Sequence, residues 1–91
     1  MIQPHSTLLL DPRVRFRRFE EEGIIVNQRT AEAIVVSEVA TRLMELADGR
    51  RTLHECAVLL SEEFDETVDV IERDVMSFAQ VLADAGVVAV T

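Results

Sequence analysis

The sequence predicts an α+β domain in which an N-terminal three-stranded antiparallel sheet is followed by three helices. Three observations carry that expectation. Val14-Arg15-Phe16-Arg17 alternates apolar and charged residues, the period of a half-buried strand. The second half instead spaces its apolar residues by three and four, the period of a helix with one buried face. A chain of 91 residues, 48% of them apolar, is long enough for one core and too short for two.

The elements follow in order. Residues 1–12 hold both prolines, Pro4 and Pro12, and are expected as a loosely held arm before a folded domain at 13–91. Val14–Arg17 is the first strand. Glu20-Glu21-Glu22-Gly23 is a polar break ending in glycine, read as a hairpin turn. Gly23–Asn27 is short and β-branched, and Asn27-Gln28-Arg29-Thr30 is a second break. Ala33-Ile34-Val35-Val36 is the third strand. Ala31, Glu32 and Ala33 favour helix there, but three consecutive β-branched residues favour strand more. Ser37 is a suitable N-cap for a helix to about Ala47, with Val39, Ala40, Leu43 and Leu46 on one side. Asp48-Gly49 stops it, Gly49 being suited to a left-handed conformation. Thr52-Leu53-His54-Glu55 is a capping box, in which hydroxyl and carboxylate each satisfy an orphan amide, and opens a helix to Phe64. A third helix runs from about Thr67 to Ala85 on the stripe Val68, Ile71, Val75, Phe78, Leu82, Ala85, and Gly86 ends it. Val87–Val90 suits a short last strand.

Composition removes several classes of function. All nine bases are arginine and the net charge is −8. Residues 1–51 are balanced, with eight Arg against eight acids; residues 52–91 hold one Arg, Arg73, against nine acids. The helical half is thus acidic, which opposes nucleic-acid binding, where a basic docking element is needed. One cysteine, Cys56, excludes an internal disulfide and fits a reducing, cytoplasmic setting. No run of 18 apolar residues suggests a membrane span, and the first ten residues lack a signal-peptide pattern. His54 and Cys56, two apart on a helix, point away from each other and cannot share a metal ion. With two histidines in the chain, no nucleophile–base–orienter set is legible. Neither catalysis, cofactor nor metal is expected.

One feature survives these exclusions. Ala33–Val36 is wholly apolar and precedes the helices directly. At a sheet edge its free backbone groups would accept an added strand; the same run also suits a buried central strand.

Several motifs resemble the PqqD family. They are Val14-Arg15-Phe16-Arg17, the Leu46-Ala47-Asp48-Gly49-Arg50-Arg51-Thr52 turn, and Asp74-Val75-Met76-Ser77-Phe78 followed by Leu82 and Gly86-Val87. The likeness runs from about Arg13 to Val90, with Ser37 where the family usually has Asn. The resemblance implies a winged-helix-like fold and a non-catalytic peptide chaperone. Such a protein recognises the leader of a ribosomally made precursor peptide and presents it to a modifying enzyme, a radical SAM enzyme in PQQ biosynthesis. It further implies that the leader adds as a strand to Ala33, Ile34, Val35 and Val36, beside the last helix. A helical wheel then places Val70, Asp74, Ser77 and Val81 on the flank lining that groove. The helix-turn-helix outline leaves a winged-helix DNA-binding regulator as the alternative. Monomer and dimer both remain open.

Overall fold

A computed structural model describes residues 2–91. The described residues form two three-stranded sheets and three helices. The first sheet is a meander of β2 (Val14–Phe19), β3 (Glu22–Asn27) and β4 (Glu32–Val36), antiparallel throughout and in the order β2-β3-β4. Its register runs Phe16↔Ile25↔Ile34, so Val14, Phe16, Ile25, Ile34 and Val36 share the face that meets the helices. Ile25, at the centre, is fully buried. The first hairpin is tighter than the sequence suggests. Phe19 and Glu22 are its last pair, and Glu20 takes the left-handed conformation at φ 60°.

Gly23 therefore lies inside β3, and the reason is space. A Cβ there would sit 2.6 Å from Thr41 Oγ1 and 2.8 Å from the Phe16 ring. Only glycine lets α1 (Glu38–Leu46) approach the sheet this closely. Ser37 caps that helix, its hydroxyl accepting from the Ala40 amide, while the buried Thr41 hydroxyl donates to the Ser37 carbonyl at 2.7 Å.

The second sheet, in the order β5-β1-β6, is where the structure departs from expectation. Residues 2–12, the described part of the expected arm, are not loosely held. They contribute β1 (Thr7–Leu10), which lies between β5 (Asp48–Thr52) and β6 (Val88–Val90), antiparallel to both. Leu8 is 1% exposed, and Ile2 and Ser6 are buried. Backbone bonds fix the rest of the segment, since the Ser6 and Pro4 carbonyls accept from the Leu53 and His54 amides at 2.8 and 2.9 Å. Those are orphan donors at the start of α2 (Leu53–Glu63), so the arm completes that helix's N-terminus. Met1 lies outside the described residues.

Asp48–Thr52 likewise does more than end one helix and start the next. Asp48 Oδ1 accepts from the Arg50 and Arg51 amides, both at 2.9 Å, and Gly49 has φ 78°, the left-handed conformation expected of it. That turn lays the chain against β1 as a strand. Thr52 and Glu55 make the reciprocal capping bonds at 3.1 and 2.9 Å.

α3 (Val68–Asp84) buries Ile71, Val75, Ala79 and Leu82. Val68 and Phe78 of the expected stripe are half-buried and Ala85 is exposed, because the helix meets the rest of the core along a slightly rotated line. No helix among the described residues is long and apolar enough to cross a membrane.

An ion-pair chain ties the first sheet to the helices. Arg18 grips Glu45 with two bonds of 2.7 and 3.1 Å, and Arg42 contacts Glu45 at 3.6 Å and Glu63 at 2.9 Å. The Arg18 guanidinium, more than any other group, holds the Glu45 carboxyl below its ordinary pKa. Cys56 is 1% exposed, and burial pushes its thiol upward, away from a reactive thiolate.

Candidate functional site: the open edge of β4 and its groove

β4 pairs with β3 on one side only, leaving its other edge open. The sequence allowed either a central or an edge strand at 33–36, and the strand order settles that it is an edge. Strand alternation divides its side chains. Ile34 is half-buried and Val36 is 6% exposed, both on the helix-facing side. Ala33 and Val35 point to the opposite face, where Val35 is 64% exposed. An exposed β-branched edge of this length offers a row of backbone donors and acceptors to another chain.

Two hollows relate this edge to α3, one beside each end of β4. The larger, about 240 Å³, opens between α1 and α3 and is walled by Val39, Leu43, Val75 and Phe78, with Ser37 and Asp74 among its lining residues. The smaller, about 20 Å³, lies between Ile25, Glu32 and Ile34 on the sheet and Ala85 and Val87 beyond α3. β4 runs from the small hollow toward the large one, and α3 runs the other way. The two elements therefore form the sides of one groove.

The eight residues expected to bind a peptide are distributed unequally around it. Ile34 and Asp74 line the hollows directly. Val36 belongs to the core. Ala33 and Val35 face away from the groove, although their backbone lies on the open edge. Val70 and Val81 are 42% and 57% exposed, and Ser77 is exposed, but none of the three lines either of these two hollows. Val39, Leu43, Phe78 and Ala85 were not singled out by sequence reasoning as groove residues. Phe78 had a legible signal. It follows Asp74 by four residues and so shares its face, but its place in the apolar stripe assigned it to the core.

Elsewhere, one imidazole–carboxylate pair links two helices. His54 Nδ1 lies 2.7 Å from Glu72 Oε2, which ties α2 to α3. No group of three or more His, Cys, Asp or Glu among the described residues is arranged to hold a metal ion.

Comparison with known proteins places this geometry in context. The model of a family described as Coenzyme PQQ synthesis protein D (PqqD) matches residues 22–88. A Rhizobium meliloti (strain 1021) protein named PqqA binding protein is 30% identical over 83 residues, covering 91% of this chain and 85% of that one. Two solved structures share the fold. One is the solution structure of the PqqD truncation of Methylobacterium extorquens PqqCD, described as a functional, stand-alone RiPP recognition element. It superposes with a TM-score of 0.84 at 22% identity, covering 98% of this chain and 95% of that one. The other is TbiB1 in complex with the TbiA(beta) leader peptide, with a TM-score of 0.78 at 18% identity over 87% of this chain and 92% of that one.

Proposed function

Because the chain belongs to the PqqD family, we propose that it binds the leader of a ribosomally made precursor peptide by strand addition to β4. The bound leader is presented to a separate modifying enzyme, a radical SAM enzyme in PQQ biosynthesis or a related pathway. The chain's own role is recognition rather than catalysis. The observation that carries this reading is the open edge of β4 beside an apolar groove. Main-chain bonds to the edge supply affinity that depends little on sequence, and the groove supplies selectivity. A relative named for binding PqqA and a like-folded chain in complex with a leader peptide both support it. The helix order alone also suited a DNA-binding regulator, but α2 carries Glu55, Glu62 and Glu63 with no Arg or Lys, and α3 has a single Arg. Neither helix supplies the basic surface that a phosphate backbone requires.

The test is titration of the isotope-labelled protein with a synthetic PqqA leader peptide, followed by amide chemical shifts. The largest shifts are expected at residues 32–36 and along the groove side of α3. Shifts concentrated on α2 instead would refute this site.

A further inference from the structure

The two hollows of the groove differ in a way that constrains the bound strand. The larger has apolar walls, Val39, Leu43, Val75 and Phe78, and a single charged lining residue, Asp74. Asp74 is exposed and has no ion pair or side-chain hydrogen bond among the described residues. The arginines of the neighbouring elements are engaged elsewhere: Arg42 with Glu63 and Glu45, and Arg18 with Glu45. Arg73 precedes Asp74 but stands about 100° further round the helix.

A large apolar side chain seated in this hollow would cover the carboxylate and strip its water without replacing it, which is costly for a charged group. An acidic side chain would add repulsion. A lysine or arginine avoids both, since its methylene stem lies along the apolar walls while its head meets Asp74 at the rim. The smaller hollow, at about 20 Å³, has room for roughly one water molecule and none for a long side chain.

The separation of the hollows sets a spacing. Glu32, at the small one, is about 13 Å along β4 from Val36, beside the large one. Asp74 to Ala85 along α3 is about 16 Å. An extended ligand covers about 13–16 Å in four or five residues, and of these only four, the even number, points both side chains into the same groove.

Resting on the strand-addition reading, we propose that Asp74 selects the leader by charge. The leader residue seated between α1 and α3 is a lysine or arginine, and the residue about four positions along the strand is small.

The experiment is selection of a displayed random-peptide library on the wild-type protein and on Asp74→Arg, with circular dichroism confirming that both are folded. Wild type should enrich peptides with Lys or Arg at one position and Gly, Ala or Ser about four away. Asp74→Arg should change the charged position to Asp or Glu and leave the small residue in place. Asp74→Asn should bind a selected wild-type peptide about fivefold more weakly at low salt. Enriched peptides with no charge preference, or a preference untouched by Asp74→Arg, would overturn charge selection and leave strand addition standing. A folded wild-type protein that enriches no peptide would remove the strand-addition reading and this inference with it.

Discussion

Gly23 states the packing problem of this fold in one residue. Within a strand, glycine sacrifices β propensity and side-chain burial, so its presence calls for a local reason. The reason is the approach of α1, whose Thr41 hydroxyl occupies the space that a Cβ would need. Gly23→Ala must push α1 away or force Thr41 and Phe16 off their positions, and overpacking of this kind costs about 1–3 kcal/mol. A thermal melt of the variant should show the loss, whereas an unchanged melting temperature would mean that the helix yields freely. From sequence, Gly23 read as the end of a turn. A turn glycine and a close-approach glycine look alike until the partner helix is placed.

β4 is the element on which the proposed binding depends, and there its backbone would matter more than its side chains. Along an edge strand, successive amides point alternately to the neighbouring strand and to the open side. Of Ile34→Pro and Val35→Pro, one removes a bond to β3 and the other removes a donor from the free edge. The second variant should keep a melting temperature near wild type yet lose leader binding, while Val35→Thr keeps both. Two proline variants that both bind leader normally would argue against main-chain pairing. How far the elements could be read from sequence follows the same physics. The first meander, the three helices and both helix caps at Ser37 and Thr52 were legible because alternation, helical spacing and capping are local signals. β1 and β5 were not. β1 is four residues without alternation, and its partner β5 reads Asp-Gly-Arg-Arg-Thr, a turn sequence that becomes a strand only by pairing with it. The groove was half legible for a related reason. Periodicity identified which residues of α3 share a face, but the rotation of that face against α1 is a property of the packed structure.

At the scale of the whole molecule, residues 2–10 are part of the core, not an appendage to it. Their removal takes Leu8 from the interior, leaves β5 and β6 without a shared neighbour and uncaps the first amides of α2. Loss of a buried leucine alone costs about 2–5 kcal/mol, and a domain this small has little reserve. A chain lacking residues 2–10 should therefore be unfolded or molten as judged by amide dispersion in its NMR spectrum. A well-dispersed spectrum would mean that the first sheet and helices fold without the second.

The position of β1 also bears on synthesis. It leaves the ribosome well before one of its partners, β6, and the Thr7 and Thr91 backbones bond to each other in both directions at 3.0 and 3.1 Å. The meander and α1 can close on themselves as they emerge, while Leu8-Leu9-Leu10 waits unhoused until β6 is made. Of the described strands, the first made is thus the last to be enclosed. A stalled or prematurely released chain would present that leucine run to chaperones and proteases as a mark of incompleteness.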